Sequence, residues 1–97
     1  MILFGNINKG LQEVQATKAA VLVDVREADE FRSGHIPGAV NIPLSRITSI
    51  PFEKTPPLFL YCLRGTRSRR AMGILKKMDY TAKSIGGITG YKGQLER

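Results

Sequence analysis

A chain of 97 residues with one cysteine is long enough for one domain and one core, and it cannot close an intrachain disulfide; a reducing, cytoplasmic setting is the simplest expectation. Its apolar runs fall far short of the ~20 residues that span a bilayer, and Met1-Ile2-Leu3-Phe4-Gly5 carries no basic leader, so neither a membrane span nor a signal peptide is expected. The net charge of +7 directs attention to anionic substrates or acidic partners.

Ile7, Leu11 and Val14 recur at helical spacing, with Asn6 or Asn8 as cap and Gly10 as a weak point. The run Ala20–Val25 is continuously apolar and β-branched up to Asp24, which suits a strand covered on both faces of a parallel sheet. A short helix over Ala28–Ser33 follows, with Gly34 at a left-handed stop. His35-Ile36-Pro37-Gly38-Ala39 reads as a turn, Pro second and Gly third. Val40-Asn41-Ile42 is a very short strand halted by Pro43, Leu44–Ile47 a helical turn, and Thr48–Pro57 a polar connector. Leu58–Tyr61 is the next strand, and Ala71, Met72, Leu75 and Met78 mark the main helix. Ala82–Ile85 is a last short strand, Gly86-Gly87 a turn, and Thr89 the cap of a short helix through Leu95. Alternating strands and helices predict a single α/β domain over residues 1–97 with a mainly parallel sheet.

In such sheets ligands bind beyond the carboxyl ends of the strands, where Asp24 and Cys62 both fall. Cys62 opens a short loop between strand and helix, and that geometry turns backbone N–H groups inward beneath the positive end of the helix. A free thiol has a pKa of about 8.5, lowered to roughly 3.5–7.5 at helix N-termini or beside Arg and Lys. Arg64 and Arg67 lie on the loop. Arg69 and Arg70 are placed in the first helical turn, where the dipole disfavours cations. Residues 1–61 balance six Lys/Arg with six Asp/Glu, whereas residues 62–97 hold nine against two. This clustering favours a reactive thiolate over a buried, inert cysteine.

Asp24 either accepts bonds from the arginine-rich loop or the start of its helix, or is a structural carboxylate paired with Arg26 or capping a nearby turn. His35, the only histidine, sits in a structural turn, and a thiolate formed by dipole and arginines needs no general base. Ser68 offers its hydroxyl to the loop interior, caps the helix, or does both. One Cys and one His at distant positions are not a metal-ligand set. Nucleic acid is a minority reading, because no base-reading motif or aromatic interleaving accompanies the charge.

Two runs of residues then carry a family resemblance. Val23-Asp24-Val25-Arg26-Glu27, Phe31, Gly34-His35-Ile36-Pro37-Gly38-Ala39 and Asn41-Ile42-Pro43 resemble the front half of the rhodanese (thiosulfate sulfurtransferase) homology domain. Cys62-x-x-Gly65-x-Arg67-Ser68-x-x-Ala71, Leu75 and Gly86-Gly87-Ile88 resemble its second half. The chain is similar to a stand-alone, single-domain member.

That resemblance implies a three-layer domain with a mainly parallel five-stranded sheet flanked by helices, and no cofactor. It implies that Cys62 takes a sulfane sulfur from a small anionic donor, becomes a persulfide, and passes the sulfur to a thiophilic acceptor such as cyanide or a thiol. Arg64, Gly65, Thr66, Arg67 and Ser68 would bind substrate, with Asp24, Arg26 and His35 in support. The partner set would be the small donor and a protein that donates or accepts sulfur. A persulfide carrier loaded by another protein is the alternative. Related phosphatases and arsenate reductases use a loop one residue longer with arginine sixth after the cysteine; here that position is Ser68. Tyr91 takes an aromatic position often held by Trp, and Asp79 stands where Gly commonly ends the main helix. The bulky Arg64 favours a doubly charged donor such as thiosulfate, or an acidic protein surface.

Overall fold

The computed structural model describes residues 6–97; Met1–Gly5, on which the leader expectation rests, lie outside the described residues. The chain runs α1 (Ile7–Ala16), β1 (Val21–Asp24), α2 (Ala28–Ser33), β2 (Val40–Asn41), a 3-10 helix (Leu44–Ser49), β3 (Leu58–Cys62), α3 (Thr66–Lys77), β4 (Ala82–Gly87) and a second 3-10 turn (Ile88–Gly90). The strands form a parallel sheet in the order β2-β1-β3-β4. The sheet therefore has four strands among the described residues rather than the five expected, because these residues supply only four extended segments. No helix among them is long and apolar enough to cross a membrane.

Every residue of β3 is buried, so the strand alternates between two cores. Leu58, Leu60 and Cys62 face one side, packed with Val23, Val25, Ile47, Ala71 and Leu75 beneath α3. Phe59 and Tyr61 face the other, with Leu22, Ile36, Ile85 and Ile7 beneath α1. This period of two decides which functional residues can meet. Asp24 is in register with Tyr61, which puts both on the α1 side, while Cys62 faces α3.

Local expectations hold at most elements. Asn6 caps α1, its side-chain oxygen accepting the N–H groups of Asn8 and Lys9 at 3.1 and 3.4 Å. The Ile36–Ala39 turn is closed by a 3.1 Å bond from the Ala39 N–H to the Ile36 carbonyl, with Gly38 at φ 86°. Other segments depart from expectation. Gly34 ends α2 at φ 152° and ψ 128°, outside the left-handed helical region, because the chain leaves in an extended direction to pair His35 with Glu96. Gly86 and Gly87 are not a turn but the end of β4, paired with Tyr61 and Cys62 past a register shift after Leu60. The predicted helix through Leu95 is only the Ile88–Gly90 turn. The Thr89 hydroxyl does not cap it and instead donates to the Leu63 carbonyl at 3.1 Å. Thr66 begins α3, so Arg70 lies beyond its first turn.

The main helix ends in a double-bonded cap. The Tyr80 N–H reaches the Leu75 carbonyl at 3.0 Å and the Asp79 N–H the Lys76 carbonyl at 3.1 Å. This motif needs a left-handed residue between them, and Asp79 supplies it at φ 68°. A side chain there is strained, and a carboxylate at a helix C-terminus also opposes the dipole. Asp79→Gly is expected to raise stability by about 0.5–1 kcal/mol, read as a higher urea midpoint. An unchanged or lower midpoint would show that Asp79 is held by interactions that outweigh the strain.

Candidate active site

Cys62 is the last residue of β3 rather than the first of the loop, and it is 1% exposed. Its sulfur accepts the Gly65 N–H at 3.0 Å and the Ser68 N–H at 3.4 Å, and lies 3.7 Å from the Ser68 hydroxyl oxygen. Gly65 makes this closure possible: at φ 107° it turns the chain sharply into α3, whose positive end then faces the sulfur. Burial pushes the thiol pKa up. The Ser68 N–H and hydroxyl and the N–H groups of Gly65 and Arg64 outweigh that, and the net direction is down.

Ser68 is fully buried in the first turn of α3. Its hydroxyl also reaches the Gly65 carbonyl at 3.1 Å and the Ser84 hydroxyl at 2.7 Å. Ser84 on β4 therefore belongs to the same network as the Ser68 hydroxyl that lies 3.7 Å from the sulfur. The sequence pattern did not single out Ser84, since a serine in a short strand carries no motif. Gly87 enters the sequence reading as a turn residue and in the Gly86-Gly87-Ile88 match, not as a neighbour of the loop. Its place is set by close approach: a Cβ built there would lie 2.3 Å from the Leu63 carbonyl oxygen and 2.5 Å from the Arg64 Cα. The loop passes over β4 in the space that the missing side chain leaves.

The mouth of the site is a depression of about 200 Å³ lined by Cys62, Leu63, Arg64, Thr66 and Arg67. Arg64 is exposed and makes no ion pair among the described residues. Arg67 does not stand free over the thiol. Its guanidinium donates to both carboxylate oxygens of Glu30, at 2.7 and 3.1 Å. Glu30 in turn accepts the Glu27 N–H at 2.9 Å, as the third residue of the capping box that starts α2. The Arg67 hydrogen bond, working against burial and helped by the Glu27 N–H, brings the Glu30 pKa down to about 2. Glu30 is thus a site residue that sequence reasoning missed. The capping pattern was its only signal, and that signal reports a helix start rather than a partner 37 positions away.

A rhodanese-like domain matches residues 8–94. The chain belongs to the rhodanese-like domain family. It is 47% identical over 83 residues to the protein YqhL of Bacillus subtilis, covering 81% of this chain and 66% of that protein. It is 35% identical over 72 residues to the thiosulfate sulfurtransferase PspE of Escherichia coli, covering 68% of each. Among solved structures it is similar to a rhodanese with anions from E. coli, with a TM-score of 0.71 and 30% identity over 81% of this chain and 99% of that one. The chain spans about two thirds of the length of these two curated relatives.

Within this rhodanese-like domain the three supporting candidates lie in a separate network. Asp24 accepts the Arg26 backbone N–H at 2.9 Å and its guanidinium at 2.7–3.1 Å, and both residues are buried. Of the readings left open for Asp24, the structural one is observed: it pairs with the Arg26 guanidinium and accepts the Arg26 N–H. Burial alone would lower the Arg26 pKa, but Asp24 outweighs it and the net direction is up. Arg26 also donates to the Gly34 carbonyl at 2.8 Å and sits 5.9 Å from the Tyr61 ring centre. The His35 ring stacks on Phe31 at 3.7 Å and donates from Nδ1 to the Phe31 carbonyl at 2.9 Å. None of these bonds goes to Cys62.

Two outcomes are expected. Iodoacetamide alkylation of Cys62 should reach half its plateau rate below the ~8.5 of a free thiol, and Ser68→Ala should move that midpoint upward; a wild-type midpoint at or above 8.5 would contradict the donor ring. Glu30, depressed from 4.5 to about 2, contributes stability that is present above pH 4.5 and lost as pH falls toward 2. Because both partners are about one-third exposed, Glu30→Gln should cost only about 0.5–1 kcal/mol at neutral pH. The difference in urea midpoint should shrink at pH 3, and an equal deficit at both values would assign the loss to helix capping alone.

Proposed function

We propose that this rhodanese-like domain moves sulfane sulfur from a thiosulfate-like donor through a Cys62 persulfide to a thiol or cyanide. The carrying observation is the buried sulfur with N–H donors at 3.0 and 3.4 Å and a lowered pKa. In the first step the Cys62 thiolate forms a bond to the outer sulfur of thiosulfate, the donor's S–S bond breaks, and sulfite leaves with the bonding pair. In the second, an acceptor thiolate or cyanide bonds to the outer persulfide sulfur, and the Cys62 thiolate departs. Charge and electrons balance in both displacements, and neither calls on a cofactor.

Arg64 meets the incoming dianion at the rim. The Gly65 and Ser68 amides hold the Cys62 sulfur itself, and the loop amides hold the terminal persulfide anion as an oxyanion hole holds its charge, with Thr66 lining the mouth. Arg67 adds positive potential, reduced by Glu30. Asp24, Arg26 and His35 support the frame. The six-residue span from Cys62 to Arg67, with buried Ser68 where related phosphatases carry arginine, favours a single sulfur atom over a phosphate. Named relatives support the reading, since PspE is a thiosulfate sulfurtransferase. A reducing cytoplasm would keep the thiol available.

One observation favours a second reading, that of a carrier loaded by another protein: with Arg67 paired, Arg64 is left as the one cation lining the mouth outside an ion pair among the described residues. Wild type and Cys62→Ser should be compared in a thiosulfate–cyanide assay, with intact mass measured after donor treatment. Wild type is expected to form thiocyanate and gain the mass of one sulfur atom, and the variant to do neither. Retained turnover in Cys62→Ser would overturn the mechanism. A wild type that is sulfurated only by a protein persulfide would replace the thiosulfate donor with the carrier reading.

A further inference from the structure

Helix α3 buries Ser68, Ala71 and Leu75 and turns Thr66, Arg70, Gly73, Lys76 and Lys77 outward. These outward positions follow helical spacing and run ~18 Å from the mouth of the site, where Thr66 lines the depression, to the end of the helix. The helix contains no acidic residue. Among the described residues Arg70, Lys76 and Lys77 make no ion pair, so this face carries uncompensated charge. Helix stability accounts for part of it, because Lys76 and Lys77 suit the C-terminal dipole, but Arg70 lies mid-helix.

Gly73 is the second, independent observation. It sits exposed in the interior of a 12-residue helix, where glycine is disfavoured relative to alanine. Packing does not require it: a Cβ built there would meet nothing within 4 Å. The cost is unrecovered inside the domain. Gly73 leaves the helix backbone without a side chain between Arg70 on one side and Lys76 and Lys77 on the other, where a partner's backbone can approach the helix.

We infer that this face of α3 docks an acidic protein segment and guides its thiol to Cys62, an inference that rests on the sulfur-transfer reading. Charge complementarity selects an acidic chain, and the bare backbone at Gly73 lets a polypeptide backbone approach. Single-stranded nucleic acid is the poorer fit, since no aromatic residue lies on α3 to stack a base. Delivery along the helix also suits the geometry, because Cys62 is 1% exposed and Thr66, at the start of this face, lines the depression that opens onto it. The transfer forms a bond between the acceptor thiolate and the outer sulfur and breaks the Cys62 S–S bond, returning the Cys62 thiolate.

The test uses the full chain, sulfurated on Cys62, and two probe acceptors: a cysteine-terminated oligoglutamate and a cysteine-terminated glycine–serine peptide. At low ionic strength wild type should discharge to the acidic peptide about tenfold faster than to the neutral one, and the advantage should collapse near 1 M salt. The triple variant R70Q/K76Q/K77Q should lose most of that advantage while keeping its rate with the neutral peptide and with dithiothreitol. Gly73→Ala should raise Tm by about 4 °C yet halve the rate with the acidic peptide only. An advantage retained by the triple variant overturns the inference. So does stronger competition by a single-stranded oligonucleotide than by cysteine-free oligoglutamate, which would assign the face to nucleic acid. Discharge to dithiothreitol reports on Cys62 itself, so its failure in wild type marks failure of the sulfur-transfer reading and not of the docking face.

Discussion

The organisation of the site follows from one constraint: a buried sulfur can ionise only where donors replace the water it loses. Cys62 lies at the end of a strand buried along its whole length, so desolvation works against its charge. The replacement donors come from the next six residues, because Gly65 bends the backbone into α3 and brings its own N–H and that of Ser68 onto the sulfur. The compensation is local in sequence but depends on distant support. Ser84 steadies the Ser68 hydroxyl, and Gly87 leaves the space through which the loop passes.

The arginines near the thiol divide by what they touch. Arg67 is committed to Glu30, and this bond ties the start of α3 to the start of α2. A charge that looks free in the sequence is in fact shared, which lowers the positive potential it adds at the mouth. Among the described residues Arg64 on the rim makes no ion pair, nor do Arg70, Lys76 and Lys77 along the helix. Fewer unpaired cations thus line the mouth than the arginine count suggests, among the described residues.

On the far side of the sheet a second ionic pair plays a framing part. Asp24 and Arg26 are buried together, and removing either would leave an uncompensated charge, a change that typically costs about 3–5 kcal/mol. The Tyr61 hydroxyl accepts the Ile36 N–H at 3.1 Å, so strand, turn and ion pair lock to one another. Burial leads the causes that hold the Tyr61 hydroxyl in its neutral form, the pKa direction being up. Asp24 and Cys62 both lie near strand ends, yet the alternation of side chains sends them to opposite faces.

Much of this was legible in the residues alone. Apolar runs, helical stripes and the order of elements identify an α/β domain with a parallel sheet, and Cys62 followed by Gly65 and Ser68 marks a short loop whose N–H groups turn onto the sulfur, because those properties depend on neighbours within a turn or two. Contacts between distant segments were not legible. The Glu30–Arg67 pair, the Ser84 hydroxyl, the passage of the loop over Gly87 and the separation of Asp24 from Cys62 arise from strand register and from which face each side chain meets. A pattern of residue types records local backbone preference; only the folded chain decides which charges neutralise each other and which remain exposed for a partner.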